Sequence, residues 1–147
     1  METCKFCDWK KLKGEIFYET QSFVCLYNIR PVFPGHSLII PKRHMESLMS
    51  MNESEIEELP SVIKLTFVAL KKAYKAEGFN VMLQEGSAAG ATIKHLHFHV
   101  LARHKGDIPP HTEWMEYFKQ HETARKNLSK EQMSKEVDKI KGAITKI

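Results

Sequence analysis

The sequence predicts an α+β fold with a largely antiparallel sheet. Three observations carry that prediction: a hairpin-like pair of short β runs at the start, one long stretch of helical periodicity in the middle, and two further β runs before a terminal helix. No Gly-x-Gly-x-x-Gly run and no P-loop sequence occurs, which argues against a dinucleotide-binding sheet or a Walker-type cradle.

Glu15–Thr20 and Phe23–Asn28 are the first β runs, with Gln21-Ser22 as a tight turn between them. Pro31, Pro34 and Gly35 punctuate a loop from Asn28. His36–Ile40 is the next strand, stopped by Pro41. Asn52 and Glu55 form a capping pair that opens a helix, which Pro60 interrupts or kinks. Its apolar stripe is Val62, Leu65, Ala69 and Ala73, widened by Phe67, Leu70 and Tyr74, and Gly78 ends it as the C′ residue. Phe79–Gln84 is a strand, Glu85–Gly90 a loop of small residues, and His95–Leu101 another strand. Ser129 and Gln132 cap a terminal helix with Leu128, Met133, Val137, Ile140, Ile144 and Ile147 on one side.

At 147 residues the chain is expected to hold one domain with a real core, and its composition (42% hydrophobic, 27% charged) is that of an ordinary soluble protein. No stretch of 18 apolar residues occurs and Met1–Cys7 does not read as a signal peptide, so a cytoplasmic protein without a membrane span is expected. The net charge of +4 comes from the tail: residues 1–118 hold 14 basic and 14 acidic residues, residues 119–147 hold 8 and 4. We read that excess as a solvated helix face, and with no basic patch interleaved with aromatics, no nucleic-acid partner is expected. An odd count of three cysteines argues against a disulfide framework, and Cys25, in an apolar run, reads as packed core. Trp114, Tyr117 and Phe118 either close over a site or pack on the sheet, and packing is the expectation.

The informative segment is His95-Leu96-His97-Phe98-His99-Val100-Leu101. On a strand, Leu96, Phe98 and Val100 enter the core while the three histidines share the other face, about 6.5–7 Å apart. Two chemistries suit such an array: three rings on one catalytic metal, or rings with different tasks around a phosphate, one attacking phosphorus and the others holding oxygens. Gly90, Ala91 and Thr92 just upstream offer close-set backbone N–H groups for anionic oxygens.

The segment resembles the signature His-φ-His-φ-His-φ-φ (φ hydrophobic) of the histidine triad (HIT) nucleotide hydrolases and transferases, matching all seven positions, 95–101. Asn28, the Pro31-x-x-Pro34-Gly35-His36 turn, the Leu38–His44 run and the Gln84-Glu85-Gly86 turn follow the family pattern in order. The resemblance covers about residues 1–105, read as the HIT domain; residues 106–147 read as a partly helical C-terminal extension packed on it. It implies a five-stranded antiparallel sheet with a long helix, a homodimer and a purine nucleotide substrate. It also implies that His97 is the nucleophile, that His99 and His36 hold the α-phosphate and bridging oxygen, that Asn28 contacts the ribose, and that Gln84, Gly90, Ala91 and Thr92 flank the phosphates. Ala91 stands where the diadenosine polyphosphate hydrolase branch has a glutamine for the leaving phosphates. Gln84-Glu85-Gly86 is nonetheless closer to that branch than to the nucleoside phosphoramidases.

Cys4-x-x-Cys7 reads as a redox pair, as two unrelated thiols, or as half of a zinc site, with His44 and His95 as candidate partners. The resemblance, to bacterial-type members and the related galactose-1-phosphate uridylyltransferases, implies a structural zinc on Cys4, Cys7, His44 and His95. The leading expectation is an enzyme acting on the α-phosphate of a nucleotide conjugate. The alternatives are a phosphoramidase, a three-histidine metalloenzyme and a non-catalytic nucleotide-binding protein.

Overall fold

The computed structural model describes residues 3–145. Five antiparallel strands, β1 (Ile16–Glu19), β2 (Phe23–Tyr27), β3 (Ser37–Pro41), β4 (Gly78–Leu83) and β5 (Phe98–Arg103), lie in the order β1-β2-β3-β5-β4. With them go α1 (Trp9–Leu12), α2 (Glu53–Tyr74), α3 (Trp114–Ala124) and α4 (Lys130–Ile144). The α+β fold and five-stranded antiparallel sheet are those expected.

Alternation along the strands builds two cores. Phe23, Cys25 and Tyr27 of β2, Ile39 of β3 and Phe98, Val100 and Ala102 of β5 meet Val62, Ala69 and Leu70 of α2 and Met133, Val137 and Ile140 of α4. On the opposite face, Leu26, Leu38 and Ile40 are covered by Phe6 and Leu12 of the N-terminal segment, and Leu101 by Phe118 of α3. The sheet is thus sandwiched, and every residue of β2 and β3 is buried. Trp114, Tyr117 and Phe118 belong to this packing. Cys25 is fully buried, its thiol pushed up to about 12 by desolvation.

Both capping pairs form as read: Asn52 with Glu55, and Ser129 with Gln132. Ile147, expected on the apolar side of α4, lies outside the described residues. Four expectations need correction. α2 is one helix through Pro60: proline removes a single N–H, and the cap and the packing on either side hold the rest. Within α2, Thr66 takes the buried centre beside Val62, Ala69 and Leu70, satisfied by donating its hydroxyl to Val62 O at 2.8 Å, while Leu65 and Ala73 are only half-buried. The helix ends at Tyr74, because Lys75 turns left-handed (φ 57°), and Gly78 belongs to β4. The fourth concerns the histidine segment: β5 begins at Phe98 rather than His95, so His95, at a bend, and His97 precede the ladder.

Candidate functional site

The loop between β2 and β3 delivers the first histidine. Gly35 adopts φ +87°, and a Cβ there would stand 3.0 Å from the Tyr74 ring, so only glycine makes this turn. Gly35 N–H donates to Tyr27 Oη at 2.9 Å, anchoring the turn on the core. His36 follows, fully buried, with Nδ1 accepting Val32 N–H at 3.1 Å. A neutral ring whose Nδ1 accepts carries its hydrogen on Nε2. Nε2–H then donates to His99 Nδ1 at 2.8 Å, which leaves His99 with its hydrogen on Nε2. Asn28 Oδ1 accepts Arg30 N–H, turning Nδ2 toward His36 Nε2 at 3.2 Å.

His99 Nε2 has no hydrogen-bond partner, although the ring is buried. A carboxyl oxygen, Glu122 Oε1 of α3, stands 3.9 Å away, too far for a hydrogen bond. A buried, unpaired donor of this kind is the mark of a site built for a ligand acceptor. His97 is oriented differently. Its Nδ1–H donates to His95 O at 2.8 Å, so Nε2 keeps its lone pair. The rings of His97 and His99 lie 5.2 Å apart at 65°, and Phe6 packs edge-on to His97 at 5.2 Å.

Burial keeps these rings neutral. Desolvation, then His99, holds His36 well below the ordinary histidine value; desolvation, then His97, takes His99 down to about 3. His97 is lowered by desolvation, against the pull of its bond to His95 O. Glu122 is raised by desolvation and drawn back by Arg30.

These groups wall a cavity of about 210 Å³. Of the predicted residues, Asn28, Thr92, His97 and His99 line it, with His36 behind His99. Gln84, Gly90 and Ala91 do not. Gln84 lies against Gly90, whose φ of +93° strains any side chain there and where an added Cβ would stand 3.0 Å from Gln84 Nε2. The expected anion cradle is partly committed elsewhere: Gly90 N–H donates to Ser87 O and Ala91 N–H to Gly86 O, closing their own turn. Sequence reading missed Lys5, Phe6, Glu15, Arg30 and Glu122, which share the cavity wall. Phe6 had a signal in its place between the two cysteines; Glu122 had none.

His95 faces away from this cavity. Its Nε2–H donates to Pro41 O at 2.8 Å, leaving the Nδ1 lone pair toward Cys4 Sγ at 3.3 Å and Cys7 Sγ at 3.5 Å. His44 Nδ1 lies 3.4 Å from Cys7 Sγ. The ligand atoms of Cys4, Cys7, His44 and His95 all fall within 4.8 Å of one another, a set that can hold a metal ion. The three triad rings do not converge on one point, because His95 belongs to this cluster and His99 Nδ1 to His36.

The fold and site define a histidine-based centre beside a Cys/His cluster able to hold a metal ion, on one face of an antiparallel sheet. The chain belongs to the HIT domain family, whose model matches residues 10–106. A bis(5'-adenosyl)-triphosphatase from Dictyostelium discoideum is 28% identical over 96% of this chain and 93% of its own. Adenylylsulfatase HINT3 from Arabidopsis thaliana is 35% identical over 71% of this chain, which spans about half of that relative (54%). A hypothetical histidine triad nucleotide-binding protein from Sulfolobus tokodaii has the same fold, with 32% identity and a TM-score of 0.79 over 97% of this chain and 93% of its own.

Proposed function

We propose that the protein is a nucleotide hydrolase or transferase that attacks the α-phosphate of a nucleotide conjugate, of the dinucleoside polyphosphate kind, through a covalent intermediate on His97. The observation that carries this reading is the tautomer of His97: the bond from Nδ1–H to His95 O leaves Nε2 as a neutral, oriented nucleophile on the cavity wall. The Nε2–P bond forms as the bond from phosphorus to the leaving atom breaks, and the leaving atom keeps the electron pair. Water then forms an O–P bond and displaces Nε2, which regains its pair, and the proton that water releases balances the one the departed group takes up. His99 Nε2–H holds an oxygen of the α-phosphate or the bridging oxygen, with His36 fixing its tautomer. Asn28 contacts the ribose, Thr92 the phosphates, and Gln84, Gly90 and Ala91 shape the loop behind them. The named relatives support hydrolysis of nucleotide phosphoanhydride bonds, and they share an adenylyl group while differing in what leaves it.

Cys4, Cys7, His44 and His95 would hold a structural zinc. Zinc bonds of about 2.3 Å to sulfur and 2.0–2.1 Å to nitrogen put S and N roughly 3.5 Å apart on a tetrahedron, against 3.3, 3.4 and 3.5 Å here. The bond from His95 Nε2–H to Pro41 O is the outer contact that orients a histidine ligand. Four protein ligands close the shell, so the ion supplies order to the N-terminal segment rather than a reactive position.

The homodimer would form through β4 and α2. β4 is an edge strand with Val81 40% exposed, and an apolar groove of about 660 Å³ runs along α2, lined by Ile56, Leu59, Ile63 and Phe67, away from the histidines. Unpaired thiols suit a reducing, cytoplasmic setting, and no described helix is long and apolar enough to cross a membrane. Residues 1–105 would be the HIT domain and 106–147 a partly helical extension packed on it.

The test is rapid quench with a labelled diadenosine polyphosphate. Label is expected on His97 during turnover and absent in His97→Ala. Turnover by His97→Ala, or turnover with no protein-bound label, refutes the reading.

A further inference from the structure

Cleaving a bond to a basic leaving atom needs a proton donor, and the histidines hold none free to give. His97 Nδ1–H is bound to His95 O, and the hydrogen between His36 and His99 lies inside their pair. His99 Nε2–H has no partner and can donate a hydrogen bond to a ligand, while burial disfavours the cationic form that would release that proton readily. Among the described residues, the one carboxyl within 4 Å of His99 Nε2 is Glu122, at 3.9 Å.

Glu122 stands on α3, beyond the span 10–106 that matches the family. Its helix is firmly seated. Phe118, one turn earlier, is fully buried against the rings of His36 (5.8 Å) and His99 (5.5 Å). Tyr117 stacks on Phe33 at 5.7 Å, and Arg125 Nη1–H donates to Pro31 O at 2.6 Å. A leaving atom about 2.8 Å from His99 Nε2–H, on the side of that nitrogen facing α3, comes within hydrogen-bond reach of the Glu122 carboxyl oxygen 3.9 Å from the same nitrogen. Facing Glu122 across the cavity are His97 and His99, Arg30 from the β2–β3 loop, and Lys5 and Glu15 from the N-terminal segment. Among these, desolvation holds the carboxyl above the ordinary glutamate value.

We propose that Glu122 is a catalytic acid–base residue of the reaction argued above, one that equips the site for nucleoside phosphoramidates and other conjugates with basic leaving groups. As His97 Nε2–P forms and the P–N bond breaks, the leaving nitrogen keeps its pair and takes the Glu122 proton. When water forms O–P and displaces Nε2, its proton goes to the Glu122 carboxylate, and both residues return to their starting state. The inference rests on the His97 reading.

The test compares Glu122→Gln with wild type on two substrates: an AMP phosphoramidate of an alkylamine, and AMP p-nitrophenyl ester, whose leaving phenolate needs no proton. kcat/KM reports the steps through formation of the intermediate. Glu122→Gln is expected to lose about a hundredfold on the amine and less than about threefold on the aryl ester, with Glu122→Asp partly restoring the amine rate. In the wild type, the amine profile is expected to fall at high pH along a limb that the aryl profile lacks; that comparison needs no variant. Equal losses on both substrates, no loss on either, or identical pH profiles overturn the role of Glu122. Absence of wild-type turnover on both substrates overturns instead the His97 reading on which it rests.

Discussion

The Cys4–Cys7–His44–His95 cluster and the His36–His99–His97 array share one stretch of chain and present opposite faces of the same side chain. His95 gives its Nε2–H to Pro41 O and offers Nδ1 to two thiols. His97, two residues on, gives its Nδ1–H to His95 O and keeps Nε2 for the cavity. His99 receives a hydrogen at Nδ1 and offers a donor, Nε2–H, with no partner. Residue type alone therefore does not assign a task. The backbone carbonyl or neighbouring ring that fixes each tautomer decides whether a histidine is a ligand, a nucleophile or a donor. The two regions also touch: Phe6, between the two cysteines, packs on both His95 and His97, so order in the cluster supports the wall of the other site.

This division of labour predicts unequal losses. His97→Ala is expected to reduce turnover by roughly four to six powers of ten, as nucleophile removal does elsewhere, while circular dichroism and nucleotide binding stay near wild type. A variant that keeps even a hundredth of wild-type activity would place the nucleophile elsewhere.

Cys4→Ser with Cys7→Ser strikes the other region. One zinc per chain, measured by elemental analysis of protein purified without chelators, should be lost. Thermal stability should fall by about 2–4 °C for each kcal/mol removed, and turnover should fall far less than in His97→Ala. A zinc-free wild type, or an activity loss matching that of His97→Ala, would erase the distinction between the two regions.

Acid should act on the buried array. Burial lowers the folded-state values of His36 and His99, so below about pH 6.5 the unfolded chain binds more protons than the native one and stability falls with pH. For His99, lowered to about 3, the slope is about 1.4 kcal/mol per pH unit, or roughly 2 kcal/mol between pH 6.5 and 5. Urea unfolding at those two pH values measures it, and His99→Gln should flatten the dependence. An unchanged slope in that variant would show that His99 is not held neutral by the fold.

The smallest expected effect is at Ala91, in the turn just before the cavity-lining Thr92. A glutamine amide restores a donor for departing phosphates, so Ala91→Gln should raise turnover of a diadenosine polyphosphate over that of an AMP phosphoramidate by about tenfold. Equal responses of the two substrates would remove position 91 from leaving-group choice.

The sequence by itself determined the antiparallel hairpin, the two capped helices and the identity of the histidines, because alternation, capping boxes and turn glycines act between near neighbours. It also held both halves of the metal cluster, legible once a Cys-x-x-Cys pair is asked for two further nitrogen ligands. Only the tertiary structure decided the rest. Phe6 and Phe118 arrive from opposite ends of the chain to cover the face that alternation alone assigned to the histidines, and that burial makes the rings neutral. Glu122 reaches His99 from α3 across a gap that no local pattern records. Each tautomer was set by a particular carbonyl or ring brought near by folding. Periodicity specifies which way a side chain points; it carries no information about what the rest of the chain places in front of it.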